Sequence, residues 1–132
     1  QLKKYIFEDM DLATSVKVCF KKYATFEGRA QRSEFWYFYL FLLLLGICTI
    51  IIDTGVLGHS IEEEYTPINT LASVITLIPS FSVSARRLHD INRSGWWVLL
   101  YITIIGIILL IVWYATEGEK KKNRFGSPVK IK

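Results

Sequence analysis

Arg86-Arg87-Leu88-His89-Asp90-Ile91-Asn92-Arg93-Ser94-Gly95-Trp96-Trp97 is the stretch whose reading decides the fold. Three arginines, a histidine and an aspartate fall within eight residues, and apolar sequence runs away from them on both sides. Residues 68–85 upstream are 18 positions without a formal charge, residues 96–116 downstream are 21, and an earlier run, 35–52, is again 18. Crossing the hydrocarbon core of a bilayer takes about 20 residues of helix, with ~17 as a lower limit. A soluble protein with three buried helices fits less well, because such helices rarely lack charge on every side for so long. With 52% of its 132 residues hydrophobic, the chain reads as a single all-α membrane domain, 1–132. Its expected parts are an amphipathic interfacial helix, 10–23, three transmembrane helices, 34–52, 68–85 and 96–116, and a basic tail, 117–132.

Towards the N-terminus, Leu12, Ala13, Val16, Cys19, Phe20 and Tyr23 recur at helical spacing with Lys17 and Lys21 opposite. That pattern suits a helix lying on an anionic membrane surface. Gly28 marks a polar hinge, Ser33 is a candidate N-cap, and Trp36 stands at the headgroup boundary, where an aromatic ring can be half wet. The middle apolar run differs from the others in carrying Asn69, Thr70, Ser73, Thr76, Ser80, Ser82 and Ser84. Small polar residues let helices approach closely and bond across their interface, so this helix belongs at the centre of the bundle, kinked at Pro79. Trp96 and Trp97 open the third span and Trp113 marks its far interface. The tail, with Lys120, Lys121, Lys122 and Arg124, is expected to be mobile.

Charge sets the orientation. The connection 53–67 carries Asp53, Glu62, Glu63 and Glu64 but no lysine or arginine. With three spans, the N-terminal region and the arginine loop share one side with 10 Lys/Arg, while the tail holds the other 6 on the opposite side. The positive-inside rule then makes the N-terminal side cytoplasmic. A third stretch folding back near Gly106 would return the tail to that side, although 21 apolar residues suit a full crossing better. No secretory signal is expected, since the first apolar run begins beyond residue 30 and no small-residue cleavage site follows it. Cys19 and Cys48 are not expected to pair, and two histidines without neighbouring cysteines offer no zinc site. No cofactor is expected. Membrane topology accounts for the sequence pI near 9.1 without nucleic-acid binding.

Two polar clusters share the predicted cytoplasmic face: Arg29, Arg32 and Glu34 before the first span, and Arg86, Arg87, His89, Asp90 and Arg93 between the second and third. One reading is that the arginines only fix topology. A sharper one is an interlocked polar cap, in which the first group clasps the second and surplus arginine holds an anionic lipid headgroup. Arg86 and Arg87 point about 100° apart on a helix, so one can face the bundle while the other faces the headgroups. Asp90 is within reach of either for an intrahelical pair.

Phe26-x-Gly28-Arg29-x-x-Arg32-Ser33-Glu34-Phe35-Trp36, then Arg86-Arg87-Leu88-His89-Asp90-x-x-Arg93-Ser94-Gly95-Trp96-Trp97, then Asn123-Arg124-Phe125-Gly126-x-Pro128 resemble the DUF805 family of bacterial inner-membrane proteins, over residues 10–128. The resemblance implies a small multi-pass membrane protein and no particular activity. Ser127 stands where that pattern leads one to expect an acidic residue, which removes any tail carboxylate there. The leading expectation is a non-enzymatic scaffold, assembly partner or regulator, with a homo-oligomer or another membrane protein as partner. The competing ones are a small oligomeric transporter or channel built on the serine-rich helix, and an anionic-lipid-binding or lipid-modifying protein with His89 and Asp90 as an acid–base pair.

Overall fold

A computed structural model describes residues 11–60, 62 and 66–128. Helix α1 is Leu12–Lys21, and its N-cap Asp11 accepts from the Thr14 amide at 2.7 Å. Helix α2 is Arg32–Ile51, extended by a π turn, Ile52–Val56. Helix α3 is Pro67–Asp90. A 3-10 helix, Gly95–Ile102, and helix α4, Ile104–Ala115, complete the chain's helices among the described residues.

Two helical segments, Arg32–Val56 and Pro67–Asp90, are long and apolar enough to cross a membrane. The side chains around them are distributed inside-out relative to a soluble protein. Leu43, Leu71, Val74, Leu77, Ile108 and Val112 are among the large apolar residues left exposed, whereas Arg29, Glu34, Asp53, Arg86, Arg87 and Asp90 are buried. In water such an apolar belt would drive association or collapse; in lipid it is the solvated surface. As expected, α3 is central, touching every other helix. Most of its hydroxyls turn back on their own helix, Ser80 on Thr76 O and Ser84 on Ser80 O at 2.7 Å each. Bonds to neighbouring segments include Tyr39 to Ser84 at 3.1 Å, Asn69 to Thr49 at 2.8 Å and Ser82 Oγ to the Tyr23 carbonyl at 3.2 Å.

The third apolar stretch is not one helix. The 3-10 segment ends at Thr103, which is extended (φ −114°, ψ 147°), and α4 starts at the next residue, with Thr103 Oγ1 accepting from the Gly106 amide at 2.9 Å. A Cβ on Gly106 would lie 2.2 Å from the Leu100 carbonyl oxygen, so only glycine lets the two limbs come this close. The limbs run back along each other: Trp97 and Trp113 meet edge to face at 5.5 Å between ring centroids. The 12 residues of α4 rise ~18 Å, against a core of ~30 Å. The expected single helix over 96–116 is therefore replaced by a hairpin, and Trp113 lies beside Trp97 rather than at a far interface.

Helix α1 also differs from expectation. Part of the side expected to enter lipid rests on the protein: Cys19 is buried and Phe20 packs edge to face on Phe38 and Phe41, while Ala13 and Tyr23 stay exposed. The chain offers a better partner than lipid here, because the wide rings of α2 supply a matching apolar surface.

Candidate functional site: a buried arginine–carboxylate cap

The last turns of α3 are its most enclosed part. Every residue from Ser82 to Asp90 is buried, and Arg86 and Arg87 are both 0% exposed. Neither arginine faces headgroups, because each side of α3 has a cover: α1 and the start of α2 over Arg86, the hairpin end and tail over Arg87.

Arg87 donates from Nε to the Tyr114 carbonyl at 2.9 Å, from Nη1 to Asp90 Oδ2 at 2.7 Å and to the Ala30 carbonyl at 3.3 Å, and from Nη2 to the Thr116 carbonyl. Two of these carbonyls close the C-terminus of α4, where unsatisfied C=O groups and the negative end of the helix dipole favour a cation. Arg29 mirrors it. Its Nε donates to Asp90 Oδ1 at 2.8 Å, and its terminal nitrogens reach the carbonyls of Lys121 at 2.8 Å, of Gly126 and Asp90 at 3.2 Å each, and of Glu119. Asp90 thus bridges two guanidinium groups. Arg86 pairs with Glu34, both fully buried. Their remaining atoms Arg86 Nε, Arg86 Nη2 and Glu34 Oε1 have no hydrogen-bond partner among the described residues.

Three buried guanidinium groups face two buried carboxylates, an excess of one positive charge. Main-chain carbonyls from the end of α4, the tail, Ala30 and Asp90 supply the compensating dipoles. Removing one member of such a pair costs ~3–5 kcal/mol, because the survivor is left charged and buried. The site therefore holds the ends of α2, α3, α4 and the tail in one arrangement. Cys19 lies beside Glu34 and Arg86, and burial, with the carboxylate's charge second, pushes its thiol up to about 12.

The remaining residues singled out in the sequence sit around this centre. His89 Nδ1 is 2.8 Å from the Gly28 carbonyl, and its ring stacks on Phe125 at 4.0 Å. Arg32 is exposed and reaches the Ala115 carbonyl at 3.4 Å. Arg93 covers the Trp113 ring, 4.1 Å from its centroid. Trp36, Trp96 and Trp97 are exposed at this same end. The tail, expected to be mobile and remote, is fastened here instead: Asn123 Nδ2 donates to the His89 carbonyl at 3.0 Å, and Asn123 and Gly126 exchange two main-chain bonds of 3.0 Å.

One anchor escaped the sequence reading. Asp53, read only as an acidic loop residue, is buried in the π turn, and its carboxylate accepts from the amides of Ile68 at 3.0 Å and Asn69 at 2.9 Å. It caps α3 in place of Thr66, whose side chain makes no capping bond. Pro67 at the first helical position was the available signal, since proline there marks a helix start whose next amides need an acceptor.

These features define a small helical membrane protein closed at one end by buried ion pairs. A family model described as "Protein of unknown function (DUF805)" matches residues 23–127, and the chain belongs to that family. It is 38% identical over 112 residues to Inner membrane protein YhaI of Escherichia coli (strain K12), covering 84% of this chain and 91% of the relative. It is 35% identical to Inner membrane protein YhaH of the same strain, covering 84% and 92%. No solved structure matches it.

Proposed function

We propose that this chain is an inner-membrane protein with two full crossings and a third segment that enters and leaves through one face, acting as a non-catalytic scaffold or regulator. The observation that carries the reading is the return of the chain after α4: the carbonyls of Tyr114 and Thr116 lie on Arg87, and those of Glu119, Lys121 and Gly126 on Arg29. With that topology the Lys/Arg of the described residues fall on one side and the 53–67 connection, which has none, on the other. The positive-inside rule then assigns the arginine end to the cytoplasm with no opposing charge. The hairpin tip supports the reading too: Ile102, Ile104 and Ile105 are more than four-fifths exposed, and only hydrocarbon solvates such a tip. A structural role fits a cluster whose charged groups are turned on one another and on the main chain, with an apolar outer surface left for lipid or a membrane partner.

A reporter that fluoresces only in the cytoplasm, fused after Lys132, is expected to be bright, while phosphatase fused at the same point stays inactive. An active phosphatase there refutes the hairpin topology. For the scaffold role, purification in mild detergent is expected to recover an oligomer or a second membrane protein. A bare monomer in repeated preparations counts against it.

A further inference from the structure

A groove of about 650 Å³ runs along the outer side of α3 at the arginine end, a volume within the range of small-molecule sites. Its floor is a stripe on α3, Ile78, Phe81, Ala85 and His89, spaced three or four residues apart so that they share one face. The opposing wall is the 3-10 helix, through Trp96 and Leu99, and the tail closes the polar end with Phe125. From these residues and the bilayer around them we infer that the groove holds one acyl chain of an anionic phospholipid, whose phosphate is held by Arg124.

The apolar half follows from where the groove lies. It opens along a membrane-crossing helix, and its walls are largely exposed: Trp96 79%, Leu99 57% and Phe81 41%. Water has few polar partners in such a space, and an empty one would forfeit the dispersion contacts that a close-packed filling supplies. A flexible hydrocarbon chain is the component of the bilayer that fits a long, irregular slot. The anionic half follows from the closed end. Arg124 is exposed, lies 4.7 Å above the Phe125 ring, and gives one bond to the Asn92 carbonyl at 3.1 Å. Phe125 thereby ties the guanidinium to the mouth of the apolar slot. Lys121 and Lys122 are exposed on the same tail. Arg29, Arg86 and Arg87, taken up inside the cap, are not the headgroup ligands; the phosphate site is moved from them to the tail.

The inference rests on the proposed topology, because the tail must return to this face to bring Arg124 to the groove. Native mass spectrometry of the full chain released from nanodiscs of equal phosphatidylglycerol and phosphatidylcholine tests it. The expected result is retained phosphatidylglycerol over phosphatidylcholine by about fivefold, the factor one basic residue supplies near an anionic surface. Leu99→Trp fills the slot and is expected to lose both lipids. Arg124→Gln leaves the slot open and is expected to keep lipid while losing the preference. Equal retention of the two lipids by the native chain, full retention by Leu99→Trp, an undiminished preference in Arg124→Gln, or a co-purifying protein in place of lipid each overturns it. The reporter after Lys132 separates the two readings: a cytoplasmic tail with no retained lipid removes the groove alone, and a tail on the far side removes both.

Discussion

Gly118→Ala adds a single methyl group to a tail that residue pattern alone marks as mobile. The added Cβ would stand 1.8 Å from Asp90 Oδ2, 2.5 Å from its Cγ and 3.0 Å from Oδ1. Reaching ordinary contact requires a displacement of more than 1 Å. If Asp90 moves, its bonds from Arg29 Nε at 2.8 Å and Arg87 Nη1 at 2.7 Å stretch out of hydrogen-bonding range. If the tail moves, the Glu119 amide leaves the Asp90 carbonyl, a 2.8 Å bond, and Arg29 loses its carbonyls on Glu119, Lys121 and Gly126. Either route uncouples a buried charge, at a cost of ~3 kcal/mol, so the undocked tail becomes over a hundredfold more populated. Trypsin cleavage at Lys120–Lys122 in detergent-solubilised protein reads that population, since cleavage follows the open fraction when closing is fast. The expected outcome is a cleavage rate higher by about two orders of magnitude with unchanged helical circular dichroism. Gly46→Ala, whose Cβ would meet nothing within 4 Å, is the matched control. Equal cleavage of Gly118→Ala and the native chain would refute the idea that the tail is wedged against Asp90.

Two further outcomes are expected. Asp53→Ala uncaps α3 and should cost ~1–2 kcal/mol, lowering the midpoint of thermal unfolding in detergent, with Asp53→Asn recovering part of the loss; an unchanged midpoint for Asp53→Ala contradicts the cap. At pH 8 the Cys19 thiol, pushed by burial from the ordinary thiol range up to about 12, holds ~1000-fold less thiolate than a free cysteine. It should resist maleimide until pH rises towards 12 or the chain is denatured, and labelling at a free-thiol rate at pH 8 contradicts its burial.

The sequence disclosed the elements that depend on local pattern. Two charge-free runs became the two long helices, within a few residues at each end, and the small hydroxylated residues of α3 marked it as central. The pairings within the cap were partly open to reading: Glu34 with an arginine and Asp90 with Arg87 follow from burial cost and helical spacing. Less legible was anything set by main-chain carbonyls, because these are present at every residue and leave no side-chain signature. Arg87 as the cap of α4 and Arg29 as the anchor of the tail belong to that category. A fold-back near Gly106 was open to reading only as the weaker alternative to a full crossing. Thr103 and Gly106 are ordinary in an apolar helix, and hydropathy over 96–116 is the same whether the segment crosses or turns back. What decides is the 2.2 Å between a would-be Cβ of Gly106 and the Leu100 carbonyl, a fact of tertiary approach.

Arg29 binds carbonyls that lie 90, 92 and 97 residues further along the chain, and this span gives assembly a direction in time. A chain made from its N-terminus has Arg29 and Arg87 in place before any of residues 114–126 exist. During that interval Asp90 is, among the described residues, the carboxylate the two guanidinium groups have in common, and the excess positive charge stays where water or headgroups can still reach it. The two long helices can insert in this open condition. Closure waits for the tail, so the order of synthesis keeps the most costly desolvation until the groups that offset it have arrived.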